Sequence, residues 1–412
     1  MSEVNYVIIG NSTAAVGCIE GIRSVDKTGP ITVVSDEPYP VYSRPLISYL
    51  LYGKTTEEKM KYRSDDFYEK NGVKTVLGVK AEKVDYAKKN VFLDNGDSLS
   101  FDRLLFATGS RPFVPPMQGL DEVEQKFSFM KLDDAKALQA AITKKSRVLI
   151  IGAGLIGLKC AEGILDLVDS ITVVDLADRI LPSILDEEGS AMMQKHLEFK
   201  GIRFLLGDSV AQFQKNSAEL KSGASVDFDV LVVAVGVRPN TQLASEIGCK
   251  VGRGITIDAH SRTSLTDVYA AGDCCECTDI ADGQTRILAI LPNAYLQGET
   301  AGVNMAGGEK TFEKAIPMNA IGFFGLHVIT AGSYDGDVWT EKTGDSYKKL
   351  ITKDNRLKGF ILIGNVARAG IYTSLIREQT PLDAIDFELL KQKPQLMAFA
   401  ADQRAVKLGG AK

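Results

Sequence analysis

The chain has 412 residues, enough for roughly two to three domains. Hydrophobic residues make up 45% and charged residues 25%, which excludes a disordered or collagen-like chain. A net charge of −5 with no dense basic run argues against a nucleic-acid partner. No stretch approaches the roughly 18 consecutive apolar residues of a membrane span. The first apolar run, Val4 to Ile9, has no charged lead or cleavage site, so no signal peptide is expected. Six cysteines are too few for a disulfide scaffold, and a reducing, cytoplasmic setting is expected.

The first segment of interest, Tyr6 to Gly21, reads YVIIGNSTAAVGCIEG, and Val148 to Gly163 echoes it as VLIIGAGLIGLKCAEG. Gly10 answers to Gly152, Cys18 to Cys160, Glu20 to Glu162 and Gly21 to Gly163. A β-branched strand follows each, Ile31 to Val34 and Ile171 to Val174. Each unit is therefore strand, glycine turn, helix, strand, the start of a doubly wound parallel sheet. Such a turn lets backbone approach a pyrophosphate at a helix N-terminus. The first turn departs from G-x-G-x-x-G, with Ser12 and Ala15 at the second and third glycine positions and Ser35, Asp36 and Glu37 after the next strand. Alone it is as compatible with an ordinary strand–helix turn as with a nucleotide site.

Between the two units, Tyr39 to Tyr52 reads YPVYSRPLISYLLY, and Phe106 to Pro112 reads FATGSRP. The second turn, Gly152-Ala153-Gly154-Leu155-Ile156-Gly157, is a full G-x-G-x-x-G. Asp175 ends its following strand, where a carboxylate accepts the ribose 2′-hydroxyl and repels a 2′-phosphate. That favours NAD(H), with Arg179 close enough to keep NADP(H) open. Ala234 to Asn240 reads AVGVRPN, Thr266 to Asp273 reads TDVYAAGD, and Gln297 to Gly308 reads QGETAGVNMAGG.

These segments together resemble the pyridine nucleotide-disulfide oxidoreductase superfamily over about residues 4–330. Tyr42 to Pro45 and Ile321 to His327 look most like its NADH-linked rubredoxin or ferredoxin reductase branch. The resemblance implies an α/β chain with two Rossmann-like dinucleotide-binding domains, for FAD and NAD, plus a smaller C-terminal α+β domain. It implies an FAD domain over residues 1–112 and 241–316, an NAD domain over 113–240 and a C-terminal domain over 317–412. Carried over by position, Gly10, Asn11, Ser12, Thr13 and Ala14 would meet the FAD pyrophosphate, Asp36 the adenosine ribose and Ala81 the adenine. Arg44, Pro45, Thr108, Gly109, Arg111, Gly272 and Asp273 would hold the rest, with Leu291, Pro292 and Asn293 opening a helix toward the flavin pyrimidine. Gly152, Gly154, Leu155, Ile156, Gly157, Asp175 and Gly236 would hold NAD(H).

Two departures bear on function. Disulfide reductases carry C-x-x-x-x-C on the helix after the first strand pair, and thiol peroxidases one cysteine; residues 39–52 have none, with Ser43 and Arg44 instead. Serine cannot form a sulfenic acid or a mixed disulfide, so thiol chemistry there is excluded. The expected activity is FAD-dependent electron transfer between NADH and an iron–sulfur partner, including as flavin subunit of a larger complex such as an aldehyde oxidoreductase. The alternative is a flavin-only NADH oxidase reducing O₂. The second departure is Lys159, standing where the family has glutamate paired with a lysine beside the flavin; Ser48 falls near that lysine's place. Lys159 is either the cation beside the flavin or a lysine bent to solvent.

No metal site is expected. Cys274, Cys275 and Cys277 lack a fourth ligand at usual spacing and read as packing residues at a helix start. Cys18 and Cys160 read as core, His196 as surface, and His327, after Phe323-Phe324, as packing. Lys348, Lys349, Lys353, Arg356 and Lys358 read as a solvated hairpin rather than a dock for an acidic iron–sulfur protein. The tail from Lys407 is expected to be disordered.

Overall fold

A computed structural model describes residues 4–407; residues 408–412, most of the expected tail, lie outside the described residues. The chain divides into two compact units. One runs to Leu181 and includes Leu197–Cys277 and Thr285–Phe312. The other comprises Pro182–His196, Thr278–Gln284 and the chain from Glu313 onward.

Two parallel sheets organise the first unit. In one, Tyr6–Ile9 is central, with Ile31–Ser35 and Val73–Leu77 on one side and Arg103–Phe106 and Val268–Ala270 on the other. All neighbours are parallel, and Tyr6 stands opposite both Ile31 and Arg103. Every residue of Tyr6–Ile9 is buried, as a β-branched run in a parallel sheet covered on both faces should be. Helix α1 (Thr13–Val25) follows this strand, and the short α2 (Ile47–Leu51) follows the second.

The second sheet repeats the plan. Arg147–Ile151 is central, Ser170–Asp175 and Ile202–Leu206 lie to one side, and Val230–Val233 and Lys126–Phe127 to the other, all parallel. Helix α3 (Leu132–Ala141) precedes its central strand and α4 (Leu155–Ile164) follows it. The fold class is therefore the expected one, two doubly wound sheets each started by a glycine turn. An antiparallel ribbon of Ser110–Pro112 with Val237–Pro239 joins the two crossovers.

Helix α5 (Leu291–Met305) lies parallel to α1 in backbone contact. A β-carbon on Gly17 would stand 2.3 Å from the Tyr295 carbonyl oxygen, and one on Gly21 2.4 Å from that of Glu299. Reciprocally, Gly298 would meet Ala14 at 2.0 Å and Gly302 would meet Cys18 at 2.1 Å. Glycines one turn apart on both helices thus remove the side chains that would separate them, and both N-termini point the same way. Cys18 and Cys160 are fully buried.

Two local expectations are corrected. The cysteines after Asp273 do not start a helix: Cys275–Thr278 is a strand paired in parallel with Ile255–Thr256, which buries Cys275 and leaves Cys277 half-exposed. His196 is half-buried rather than a surface residue, because its Nε2 lies 3.0 Å from the Phe323 carbonyl oxygen within the second unit.

That unit is an antiparallel sheet in the order Met318–Phe323, Leu326–Gly332, Arg356–Ile363, Ser346–Lys353, Asp337–Thr343. Helix α6 (Ala369–Glu378) covers it, with Phe360 and Tyr372 rings 5.5 Å apart in the core. Within it Lys348, Lys349 and Lys353 are ion-paired with Glu341, Asp186 and Asp335, so the basic hairpin is largely neutralised in place. Among the described residues no helix is long and apolar enough to cross a membrane.

Candidate functional site

At the first turn Gly10 has φ +113°, and a β-carbon there would lie 2.1 Å from the Ala107 carbonyl oxygen, so only glycine fits. Asn11 is fixed on both ends of its amide, donating to the Tyr39 carbonyl and accepting from the Tyr68 hydroxyl at 2.7 Å. Ser12 caps α1 by position, yet its hydroxyl makes no capping bond and no acidic residue occupies the first turn. Those amides are left for an anion, which the helix dipole favours. Thr13 and Ala14 are buried behind them.

Other predicted residues converge here. A β-carbon on Gly272 would stand 3.2 Å from that of Ala14 and 3.5 Å from that of Ala294, which brings the Gly272–Asp273 turn to the starts of α1 and α5. The Gly272 amide donates to Gln297 Oε1 at 2.9 Å. The Asp273 carboxylate accepts no hydrogen bond from the described residues. Burial pushes its carboxyl up, and only the nearby Arg44 guanidinium pulls it back. Ser110 Oγ, beside Gly109, is buried without a partner. Leu291, Pro292 and Asn293 form the first turn of α5, again without an acidic residue. Arg44 and Pro45 lie in the 3₁₀ turn leading into α2. Ala81 is buried at the start of its own strand, Ala81–Asp85. Asp36 is exposed and held by Lys131 Nζ at 2.7 Å. Its neighbour Glu37 is the more enclosed carboxylate, accepting the Tyr42 hydroxyl at 2.6 Å with Arg44 at 3.8 Å. Only that burial, invisible in sequence, distinguishes the two.

The second turn is built alike. Gly152 also has φ +113°, with a β-carbon 2.3 Å from the Ala234 carbonyl oxygen, and Gly157 would meet Gly152's own carbonyl at 2.0 Å. Gly154 faces open space at the start of α4, whose first turn holds Leu155 and Ile156. Asp175 accepts the amides of Ala153 at 2.6 Å and Ala177 at 2.8 Å, so its carboxylate also braces the glycine turn. Gly236, at φ +129°, is likewise open, and Arg179 is ion-paired with Asp178.

Lys159 on α4 is not bent out to solvent. Its side chain is 13% exposed and ion-paired with Glu162. The ammonium lies 4.2 Å from the centre of the Tyr49 ring on α2. The two helices touch there, since a β-carbon on Gly163 would stand 2.9 Å from the Ser48 carbonyl oxygen. The Glu162 partnership could have been suspected from the i, i+3 spacing alone.

Asn240 is a hub that motif reading did not single out. Its amide nitrogen donates to the Thr108 carbonyl at 2.9 Å, its Oδ1 accepts from Arg111 at 3.0 Å, and its carbonyl accepts from the Thr108 hydroxyl at 2.7 Å. Its backbone N–H donates to the Gly109 carbonyl. One side chain thus ties the two crossovers together.

The open N-termini of α1, α4 and α5, the unbonded Asp273 carboxylate and the orphan Ser110 hydroxyl fit two dinucleotides, with donors for phosphates and acceptors for hydroxyls. A family model described as pyridine nucleotide-disulphide oxidoreductase matches residues 4–298, and one described as rubredoxin NAD⁺ reductase C-terminal domain matches residues 317–380. The chain is 32% identical to NADH-dependent phenylglyoxylate dehydrogenase subunit epsilon of Aromatoleum evansii, over 93% of each. It is 31% identical to the NAD(P)H nitrite reductase of Bacillus subtilis (strain 168), over 93% of this chain but 48% of that one, so it spans about half of that enzyme. Among solved structures, the covalent putidaredoxin reductase–putidaredoxin complex shares the fold over 100% of both chains, with TM-score 0.87 and 22% identity. The chain belongs to the pyridine nucleotide-disulphide oxidoreductase family, in its rubredoxin reductase-like branch, and is an FAD-dependent NAD(H) oxidoreductase.

Proposed function

We propose that the chain passes electrons between NADH and an iron–sulfur protein, as the flavin subunit of a larger redox complex. The observation that carries this reading is an intact double-dinucleotide cradle whose segment 39–52 holds serine and arginine but no cysteine. Without a thiol beside the flavin, electrons have no disulfide to enter. The full-length likeness to a dehydrogenase subunit adds support, as does the likeness to NADH-rubredoxin oxidoreductase of Clostridium acetobutylicum, at 26% identity. In this reading the larger complex is an enzyme such as an aldehyde oxidoreductase, and six unbridged thiols suit a cytoplasmic setting.

Bound FAD supplies a group that accepts two electrons as hydride and releases them singly. The chain's residues do the positioning. In this reading residues 1–112 and 241–316 hold FAD, through the amides of Ser12 to Ala14 at the pyrophosphate, Asp273 on the ribityl hydroxyls and Thr108 and Gly109 along the crossover. Residues 113–240 hold NADH, with Gly154 leaving room for its pyrophosphate and Asp175 accepting from its ribose. Lys159, aligned by Glu162 and Tyr49, places a cation between α2 and α4, and with FAD bound it would favour negative charge on the reduced ring.

The test reconstitutes the chain with FAD and compares NADH oxidation in aerated buffer with anaerobic oxidation by ferricyanide. Slow air oxidation with fast one-electron transfer supports the electron-transfer subunit. Fast air oxidation makes O₂ the substrate and the chain an NADH oxidase, the activity named for the Methanocaldococcus jannaschii relative at 30% identity over 318 residues.

A further inference from the structure

Arg111 and Arg238 stand directly opposite each other in the two-stranded ribbon between the crossovers. Like charges opposite one another destabilise a strand pair, and this ribbon has no third strand to share the load. Among the described residues neither guanidinium is ion-paired with a carboxylate. Arg111 bonds only the neutral Asn240 amide oxygen, and Arg238 stacks on Phe113 at 4.2 Å, which fixes its plane without neutralising it. A third guanidinium, that of Arg253, joins them in one cleft of about 590 Å³, whose walls include Phe113, Val114 and Thr241. The Glu276 carboxylate accepts the Arg253 backbone N–H at 3.3 Å and the Thr256 hydroxyl at 3.1 Å. In a chain of net charge −5, three exposed cations gathered in one concavity make a local positive potential that attracts an anion.

We propose that this cleft binds a nucleoside diphosphate, as a site additional to the two glycine turns. Three guanidinium forks match the oxygens of a diphosphate, which carries at least two negative charges. The volume lies within the usual range of small-molecule sites and well beyond what a lone phosphate fills. Phe113 and Val114 give the apolar wall a base requires. No residue of either glycine turn lines the cleft. The inference does not depend on the electron acceptor.

The test uses the full-length, FAD-loaded protein saturated with NAD⁺, so that both turns are filled, and titrates it calorimetrically with ADP and with inorganic pyrophosphate. The expected result is saturable ADP binding, weaker binding of pyrophosphate, and an ADP Kd raised at least tenfold by Arg238→Gln and by Arg253→Gln. Arg238→Gln should also leave the unliganded melting temperature equal to or above that of the parent, since it removes the like-charge pair. ADP binding unchanged in both variants would place the nucleotide in a glycine turn and overturn the proposal. So would no ADP binding at millimolar concentration, or pyrophosphate binding as tightly as ADP.

Discussion

Lys159 and Glu162 are ion-paired across one turn of α4, with the Glu162 side chain only 3% exposed. Removing one member of a buried ion pair costs about 3–5 kcal/mol. Lys159→Met alone should therefore lower stability as well as slow flavin reduction, and the two effects need separating. Combining it with Glu162→Gln removes both charges and should recover most of the stability. Stopped-flow reduction of bound FAD by NADH then decides the lysine's role. A rate at least tenfold below the parent in the double variant marks the ammonium as the cation beside the flavin; a parental rate marks the pair as structural.

The glycine contacts between α1 and α5 make a sharper prediction. A methyl at Gly298 would press on the Ala14 carbonyl, a backbone atom that cannot turn aside. Gly298→Ala should cost about 2–3 kcal/mol, the upper range for overpacking, and release FAD by shifting the α1 and α5 N-termini apart. Gly154→Ala is the contrast, because its β-carbon would meet open space at an ordinary φ of −82°. That variant should keep the parental melting temperature and raise only the KM for NADH. Thermal melts, retained flavin absorbance and steady-state kinetics on the two proteins check both halves.

What the sequence disclosed, and what it withheld, follows from the range of the interactions. The two strand–turn–helix–strand units were legible because each is local: β-branched runs dictate buried strands, and glycine at positions 10 and 152 answers a backbone contact repeated in both units. The cysteine strand was misjudged because its pairing with Ile255–Thr256 depends on residues some distance away in the chain. His196 was misjudged because an amphipathic helix does not announce a carbonyl supplied by Phe323. The Lys131–Asp36 pair and the Asn240 hub were equally hidden, each joining residues nearly a hundred or more positions apart.

Asp273 carries a pH signature. Its carboxyl sits above the ordinary value of about 3.9 because burial disfavours the charge. A raised folded pKa means that the FAD-free protein is steadied by the protonated group below the unfolded value and loses that stability as pH rises through the folded one. Asp273→Asn, always neutral, should therefore melt higher than the parent near pH 7, with the difference vanishing near about pH 4. The same variant should bind FAD at least tenfold more weakly, having traded an anionic acceptor for an amide. Melts of the FAD-free proteins across pH and a flavin titration test the two signs together; an FAD-free variant that melts lower than the parent at pH 7 would refute the first.

Asp186 makes the opposite prediction in the other unit. Burial raises its carboxyl, but hydrogen bonds from Lys349 at 2.8 Å, the Tyr347 hydroxyl at 2.7 Å and the Gly189 amide at 2.9 Å outweigh it and hold the pKa below the usual range. A depressed folded pKa adds stability above the unfolded value of about 3.9 and loses it as pH falls through the folded one. Asp186→Asn should thus cost about 1–3 kcal/mol near pH 7, because it leaves Lys349 half-buried without its carboxylate. Tyr347→Phe removes one of the bonds that hold this pKa down, so it should cost about 1 kcal/mol near pH 7 and less in acid. Urea unfolding of both variants at neutral and acid pH measures the difference: both deficits should shrink below about pH 4, that of Asp186 by more. An Asp186 deficit independent of pH would assign the cluster's stability to packing rather than to charge.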